Sequence, residues 1–241
     1  MNKSNGISGT GLIIIASVSM TIDHIGVIFF PGMLWLRLIG RIAFPIYAFL
    51  IAQGYRHTSN KSKYALRLLL LALVSEIPFD YTFGGGLSFS HQNVFFTLLL
   101  GLLVIWAFEK WEKTLWVLPV IFLWAVYYMA DSIRCDYSGW GVLLIWLLWK
   151  FGDNAKGAAV VIFAMSLVYV LPDVLRISGR DASWLMWAYN TIQFGGVMAI
   201  APIWFYNNKR GASGWPPALR RWFFYLYYPL HLAVLFVVKN F

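Results

Sequence analysis

Nine apolar stretches occupy most of this 241-residue sequence and leave only short connections between them. They lie at 9–30, 33–54, 64–82, 93–109, 114–130, 138–150, 157–175, 184–206 and 221–238. A helix needs about 20 mostly apolar residues to cross a bilayer. Because lipid offers no hydrogen bonds to the backbone, each crossing should be a helix. We therefore predict an all-α, polytopic membrane helix bundle of about nine transmembrane helices, forming a single domain over 1–241.

The composition agrees with a bilayer as the solvent. Hydrophobic residues make up 60% of the chain and charged residues only 12%, whereas a typical soluble domain carries about 25% charged residues. The single cysteine, Cys135, excludes an internal disulfide and a metal cage made of cysteines. No cleavage site follows the first apolar stretch, so we expect that stretch to remain as an anchor.

The distribution of lysine and arginine predicts the orientation of these helices. With the N-terminus in the cytoplasm, most of the nineteen basic residues fall on the cytoplasmic side, where such residues concentrate. This arrangement requires the short stretch 138–150 to cross, with thinned lipid or neighbouring helices covering it. If it did not cross, the basic connection at 209–221 would face outward. We therefore predict a cytoplasmic N-terminus.

Polar side chains from separate stretches fall at a similar depth, mostly in the outer half of the predicted bilayer. They are Asp23, His24, Arg37, Arg41, Glu76, Asn93, Asp136, Asn190, Gln193 and His231. Ionisable groups are costly in lipid and usually mark a functional site. The pattern predicts a polar cavity that opens toward the outer surface.

A structural interpretation of the same residues is also open. The acids Asp23 and Glu76 can form ion pairs with Arg37 and Arg41 and so lock helices together. This interpretation explains the histidines less well, because a neutral imidazole needs no counter-ion.

Helix geometry limits how Asp23 and His24 can act together. Adjacent residues point about 100° apart on a helix, so Asp23 is poorly placed to orient His24. We expect Asp23 to meet Arg37 or Arg41 on the following helix instead. The residue that orients His24 should come from another helix. The candidates are Glu76, Asn93 and Asp136.

Two basic connections, GYRHTSNKSKYALR at 54–67 and NNKRGASGWPPALRR at 207–221, allow two interpretations. The positive-inside rule and anionic lipid headgroups explain them without a specific ligand. Alternatively, they hold the phosphates of a cytoplasmic cofactor. Because membrane surrounds these connections, we expect no nucleic acid partner. DHIG and the distant His231 lack the spacing of a helix-borne metal pair, so we expect no metal site.

Several segments resemble the motifs of the TraX family in the same order. They are TIDHIG, IGRIAFPIYAFLIAQGYRHT, KYALRLLLLALVSEIPFD, QNVFFTLLLGLL and FFYLYYPLHL, with a looser match at DYSGWGVLLI. The polar motif residues of the family then correspond to Asp23, His24, Arg41, Arg67, Glu76, Asn93, Thr97 and His231.

The resemblance implies an activity and a location. TraX is associated with N-terminal acetylation of conjugative pilin. The family is similar to transmembrane acyltransferases such as the lysosomal heparan-glucosamine N-acetyltransferase, which take acetyl-CoA from the cytoplasm and acetylate an acceptor on the far side. The implied location is the bacterial inner (cytoplasmic) membrane, with a multi-pass topology.

The resemblance and the polar pattern together predict an acetyl-CoA-dependent N- or O-acetyltransferase. Its extracytoplasmic acceptor would be a peptide, a glycan or a small molecule. The residues expected to bind CoA are Arg56, Lys61, Lys63, Arg67, Arg210 and Arg221; those expected near the acceptor are Arg37, Asp136, Asn190 and Gln193.

The predicted catalytic residues have separate roles. His24 would be the general base, Arg41, Asn93 or His231 would stabilise the oxyanion, and Asp23 and Glu76 would balance the arginines. Direct transfer and an acetyl-histidine intermediate both remain open.

Two other functions also remain open. A proton-coupled transporter uses intramembrane ionisable groups and broken helices, and Gly195, Gly196 or Pro45 could break a helix here. A non-catalytic assembly factor for a secreted filament would not need His24.

Overall fold

The computed structural model describes residues 6–88, 90–178, 183–209, 211 and 217–241. Within these residues the regular secondary structure is helical and no strand forms, so the all-α prediction is confirmed. The helices are α1 (Gly9–Phe29), α2 (Leu34–Gly40), α3 (Ala43–His57), α4 (Lys61–Phe79), α5 (Val94–Trp111), α6 (Val117–Ser132), α7 (Ser138–Phe151), α8 (Ala155–Ser178), α9 (Trp184–Thr191), α10 (Ile200–Trp204) and α11 (Pro217–Asn240). A π-helical turn over Asp80–Gly84 follows α4, and a 3₁₀ segment over Ile192–Ala199 joins α9 to α10.

Four helical stretches of the described chain are long and apolar enough to cross a membrane. They are Gly9–Phe29, Leu34–His57, Val94–Trp111 and Ala155–Ser178. Shorter apolar helices cover Val117–Ser132, Ser138–Phe151 and Ile192–Trp204. These lengths and compositions are those of a membrane helical protein.

Polar residues set the first turn of several helices. Ser8 Oγ accepts a hydrogen bond from Gly11 N at 3.1 Å, ahead of α1. Asn60 Oδ1 accepts from Lys63 N at 2.8 Å, ahead of α4. Such side chains satisfy N–H groups that have no partner inside the helix. The sequence therefore marks where these helices begin.

The chain folds into two compact units. The first contains residues 1–47 and 151–221, and the second contains residues 48–150 and 222–241. In the first unit, α1 packs against α2, and the 3₁₀ segment packs against both α2 and α8. In the second unit, α5 packs against α4 and α6.

The second unit has a well-packed apolar core between α5, α6 and α7. Its buried members are Leu100, Val104, Phe108, Leu123, Val126, Ala130, Cys135 and Val142. At Gly101, an added Cβ would lie 2.5 Å from Ile145 Cδ1, so α5 and α7 approach closely where α5 lacks a side chain. This core holds α5, α6 and α7 together. Of the predicted site residues, Asn93 directly precedes α5 and Asp136 lies between α6 and α7.

The predicted continuous helix 33–54 is interrupted. α2 ends at Gly40, Arg41 and Ile42 form a turn, and α3 begins at Ala43. Pro45 explains the interruption, because proline has no N–H to donate to the Arg41 carbonyl four residues earlier and its ring crowds that carbonyl. Arg41 therefore stands at the end of α2, where its backbone N–H still donates to the Arg37 carbonyl at 3.2 Å, so Arg37 and Arg41 keep a common face.

Candidate functional site

Asp23 contacts two arginines in the first unit. Its Oδ1 lies 2.8 Å from Arg37 Nε, an ionic contact without hydrogen-bond geometry. Its Oδ2 accepts a 2.5 Å hydrogen bond from Arg41 Nη2. The side chains of Asp23 and Arg41 are only 13% and 7% exposed. The predicted contact of Asp23 with Arg37 or Arg41 is confirmed, and it involves both.

Gly40 permits this contact. A Cβ at Gly40 would overlap the Cβ of Asp23, so α1 and α2 touch where α2 has no side chain. Arg41 follows Gly40 directly and enters the turn beside Asp23. The close approach of the two helices therefore brings the guanidinium within reach of the carboxylate.

Arg41 has further hydrogen bonds in the helix break. Its Nε donates to the Arg37 carbonyl at 3.2 Å, and its Nη1 donates to Gln193 Oε1 at 3.3 Å. Gln193 lies in the 3₁₀ segment, whose Gly195 packs so closely that a Cβ there would lie 2.6 Å from Leu38 Cδ1. Two interrupted helices thus meet at Arg41, within one unit.

His24 follows Asp23 on α1 and is partly buried. Two hydroxyl groups of α1 make contacts that the sequence did not predict. Ser17 Oγ lies 2.8 Å from Tyr47 Oη in α3, and Ser19 Oγ donates a hydrogen bond to the Ile39 carbonyl in α2. The role of His24 as a general base stays a prediction.

Glu76 and Asn93 form a buried pair in the second unit. Asn93 N donates to Glu76 Oε2 at 3.3 Å, and Asn93 Nδ2 donates to the same oxygen. Asn93 also caps α5, since its Oδ1 accepts from Phe95 N at 3.0 Å. The N–H groups at a helix N-terminus stabilise a carboxylate. Among the described residues Glu76 forms no ion pair and contacts Asn93; its role in balancing the arginines stays a prediction.

The loop between α6 and α7 holds Asp136 through its backbone. Asp136 N donates to the Gln92 carbonyl at 2.8 Å, and Thr97 Oγ1 donates to the Asp136 carbonyl. Arg134, Tyr137 and Ser138 adopt positive φ angles of 52°, 65° and 49°, which are unfavourable for residues with a Cβ.

Cys135 lies buried in the same loop. Burial, with the nearby Asp136 carboxylate acting in the same direction, raises the pKa of its thiol to about 12. The thiol is therefore protonated at neutral pH, which removes its nucleophilic form.

His231 stacks on an aromatic neighbour in the middle part of α11. Its ring lies 5.3 Å from the Tyr227 ring at an interplanar angle of 15°. Nδ1 lies 3.0 Å from the Tyr227 carbonyl oxygen, and a carbonyl only accepts, so Nδ1 carries the proton. His231 is buried.

Two of the predicted CoA-binding residues contact the protein itself. Arg56 Nη2 donates to the Leu148 carbonyl at 3.3 Å and to the Trp149 carbonyl, where α7 ends. Lys61 pairs with Glu109, which also accepts a 2.5 Å hydrogen bond from Tyr55 Oη. These contacts tie helices together, whatever else the residues bind.

Lys63 and Arg67 differ from that pair. Lys63 is exposed. The Arg67 guanidinium carbon lies 5.5 Å from the centroid of the Tyr64 ring, and its buried Nε has no hydrogen-bond partner among the described residues. Arg210 lies outside the described residues, and so do the side chains of Asn190 and Arg221.

Comparison with known proteins assigns the chain to a family. A model of the TraX protein family matches residues 8–239. The chain belongs to the TraX family. The match spans nearly the whole chain, so the family resemblance inferred from the motifs is confirmed.

Two curated relatives of this TraX chain differ in coverage. A probable fimbrial assembly protein FimC, serogroup H1, of Dichelobacter nodosus is 27% identical over 254 aligned positions, covering 100% of this chain and 99% of the relative. An uncharacterised protein of Rickettsia prowazekii (strain Madrid E) is 29% identical over 96 residues, covering 40% of this chain and 36% of the relative. No solved structure matches the chain.

The residues that correspond to the polar TraX motifs are found in both units. Asp23, His24 and Arg41 belong to the first unit; Arg67, Glu76, Asn93, Thr97 and His231 belong to the second. Sequence reasoning missed Gly40, Tyr55 and Glu109. Glu109 had a signal that was not used, since it is the only acid in the stretch 93–109.

Proposed function

We propose that this TraX protein is an integral membrane acetyltransferase. It transfers the acetyl group of cytoplasmic acetyl-CoA to an amine or hydroxyl acceptor on the outer side, with a peptide N-terminus as the first acceptor to test. It has nine transmembrane helices, a cytoplasmic N-terminus and a place in the bacterial inner membrane, with lipid around it and no nucleic acid partner. The relative named as a probable fimbrial assembly protein supports an acceptor among filament subunits.

The observation that carries the proposal is the cluster of Asp23, Arg37 and Arg41, in which Asp23 immediately precedes His24 on α1. One carboxylate faces two guanidinium groups, so the cluster keeps an excess of positive charge. Acyl transfer creates an oxyanion, and a buried cation that is already in position stabilises it without reorganising. The cluster thus supplies the electrostatic part of such a reaction, and His24, the next residue on α1, is the proposed base.

The proposed reaction needs one proton acceptor and one oxyanion donor. The acceptor atom attacks the thioester carbonyl carbon, and its proton passes to His24 as the new C–N or C–O bond forms. Arg41 stabilises the oxyanion; Asn93 and His231 keep this predicted role as alternatives. The C–S bond then breaks, and the CoA thiolate leaves and takes up a proton. A two-step route through an acetyl-histidine uses the same groups.

The basic residues of the second unit contribute unequally to the proposed CoA site. Arg56 and Lys61 have contacts within the protein. Arg67 has a buried donor without a partner among the described residues, and a phosphate oxygen fits such a donor. We assign CoA phosphates to Arg67 and Lys63, and the predicted CoA-binding role of Arg210 and Arg221 stays a prediction.

Replacing His24 tests the proposed base. We expect His24→Ala to lower the rate of acetyl transfer by about 10²–10⁴-fold, measured with isotope-labelled acetyl-CoA, purified protein in liposomes and peptides with a free N-terminus. His57→Ala is the matched control, since His57 is exposed at the end of α3. A variant at position 24 that stays within about tenfold of wild type removes His24 from the base role.

Replacing Arg67 tests the cofactor site. We expect Arg67→Gln to raise the KM for acetyl-CoA about tenfold or more, because a charge-assisted hydrogen bond is lost. Lys156→Gln removes an exposed positive charge elsewhere and should leave the KM unchanged. If wild type and both variants have the same KM for acetyl-CoA, the basic connections are better explained by contact with lipid headgroups.

The helix break supports a second candidate function, a proton-coupled transporter. Such proteins build their sites where interrupted helices meet, and here α2 ends at Arg41 beside the 3₁₀ segment. Calorimetric titration with CoA separates the two functions, because a transporter has no need to bind CoA. Binding supports the acetyltransferase; no binding, together with proton uptake in liposomes, supports the transporter. If the protein is a non-catalytic assembly factor, the His24→Ala variant should keep its function in filament assembly.

A further inference from the structure

Glu76 has one satisfied and one unsatisfied carboxylate oxygen. Oε2 accepts from the backbone and the side chain of Asn93. Oε1 is buried and has no hydrogen-bond partner among the described residues. The side chain is only 8% exposed. A buried acceptor without a partner costs about 1–3 kcal/mol, and more when it is charged. The fold therefore keeps at Glu76 an acceptor that its neighbours in the described chain do not use.

The surroundings of Glu76 are acidic. Asp80 follows one helical turn later, and Cys135 lies within electrostatic reach of Glu76, Asp131 and Asp136. Two of these carboxylates have structural hydrogen bonds, since Asp80 Oδ2 accepts from Ser88 N and Asp131 Oδ1 accepts from Gly139 N, both at 2.8 Å.

The cations at this end of the unit do not neutralise Glu76. Lys239 Nζ donates to the Thr82 carbonyl at 3.0 Å, and Arg134 is exposed in the strained loop. Neither forms an ion pair with Glu76 among the described residues. A positively charged group would therefore find both an unused oxygen and a favourable field here.

We propose that Glu76 Oε1 binds the ammonium group of the acceptor, so that Glu76 is the residue that selects an amine over a hydroxyl. This inference rests on the proposed function for the statement that the bound cation is the acceptor. An ammonium N–H donates a charge-assisted hydrogen bond to Oε1, and its charge offsets those of Glu76 and the neighbouring Asp80. A hydroxyl satisfies the oxygen but leaves the charge unbalanced.

The geometry fits an ammonium better than a divalent metal. Ca²⁺ takes six to eight oxygen ligands and Mg²⁺ takes six. Glu76 offers one unused oxygen, and Asp80 and Asp131 already accept from backbone N–H groups. An ammonium needs few acceptors and tolerates a site with one strong partner. The bound amine is thus recognised at Glu76, which changes the predicted role of this residue from balancing arginines to binding substrate.

The variant Glu76→Gln tests the inference. Gln Oε1 can accept both Asn93 hydrogen bonds, while its NH₂ group occupies the position of the unused oxygen and repels a donor. Asp131→Asn is the matched control, because it removes a carboxylate of the same cluster and still accepts from Gly139 N. The probes are trialanine with a free N-terminus and N-acetylated trialanine, titrated calorimetrically into the purified full chain in detergent.

We expect wild type and Asp131→Asn to bind free trialanine and Glu76→Gln to bind it at least about tenfold more weakly. All three proteins should bind the acetylated peptide with the same affinity. The inference is overturned if wild type binds both peptides equally, a result that needs no variant to fold. It is also overturned if Glu76→Gln binds like wild type, or if Asp131→Asn weakens binding as much.

Acetyl transfer from labelled acetyl-CoA, measured on the same wild-type preparation, separates this inference from the proposed function. Glu76-dependent binding of the free amine without any transfer would refute the acetyltransferase and keep the amine site. Transfer with an unchanged KM for the amine in Glu76→Gln would keep the enzyme and refute the amine site.

Discussion

At the scale of single residues, buried charges in this protein are held by a few specific partners. Asp23 contacts two arginines, and Arg41 adds the Arg37 carbonyl and Gln193. A buried ion that loses its partner is costly, since it keeps its charge without compensation. The Asp23 cluster is therefore both a candidate site and a structural contact between α1 and α2, and the two roles need separate measurements.

Asp23→Asn tests the structural role of the cluster. We expect the free energy of unfolding to fall by about 3 kcal/mol, because two arginines lose their counter-ion in a buried place. Asp173→Asn is the control, since it breaks the exposed ion pair with Arg176 and should cost less than about 1 kcal/mol. Denaturant unfolding in detergent measures both. If Asp23→Asn lowers the free energy of unfolding no more than Asp173→Asn does, the cluster contributes little to stability.

Cys135 gives a second prediction at this scale. An ordinary thiol has a pKa near 8.5 and gains thiolate steeply between pH 7 and 9. Because the pKa of Cys135 is about 12, its alkylation by iodoacetamide in the folded protein should stay slow across that range. It should become fast once the chain is denatured. Mass spectrometry reads the result directly, since the chain has one cysteine. A rate that rises about tenfold per pH unit but ends in a plateau near pH 9 would contradict the raised pKa.

At the scale of helices, the interruption at Arg41 depends on local chemistry and on a close contact. Pro45 cannot donate to the Arg41 carbonyl, and Gly40 lets α1 approach α2 at Asp23. Arg37 and Arg41 lie on one face, four residues apart, and both contact Asp23. The break puts Arg41 in a turn, from which its side chain also contacts Gln193 of the 3₁₀ segment.

Gly40→Ala tests the contact between α1 and α2. The added methyl group would overlap the Asp23 side chain, so we expect a loss of about 1–3 kcal/mol from overpacking and a loss of acetyl transfer together with it. Gly32→Ala is the matched control, since a Cβ there meets nothing within 4 Å. Unfolding and transfer assays on both variants decide the matter. A Gly40→Ala protein as stable and active as Gly32→Ala would mean that the helices separate without consequence.

At the scale of the whole molecule, the TraX match covers residues 8–239 and so includes both compact units. The family relationship therefore applies to the complete described fold and not to one half of it. The proposed orientation is a property of the same scale, because it rests on the sum of the basic residues on each side of the membrane.

Cysteine labelling in intact cells tests that orientation. In a Cys135→Ala background, we expect Ser90→Cys to react with an impermeant maleimide from outside. Lys113→Cys should react only after the inner membrane is permeabilised. Both positions are exposed. Labelling of Lys113→Cys in intact cells, with protection of Ser90→Cys, would invert the topology and exclude cytoplasmic acetyl-CoA as the donor at the basic connections.

The sequence by itself determined the helical class, the approximate helix positions and the family. These follow from local properties: hydropathy over about 20 residues, capping side chains and ordered motifs. It also determined that Asp23 would meet Arg37 or Arg41, because a short turn joins the two helices.

Only the tertiary structure decided which distant groups meet. It paired Glu76 with Asn93, Lys61 with Glu109 and Arg41 with Gln193. Such pairs are 17, 48 and 152 residues apart in sequence, so no local pattern encodes them. A carboxylate takes the donors that packing brings within about 3 Å of it, and packing is settled by the whole fold.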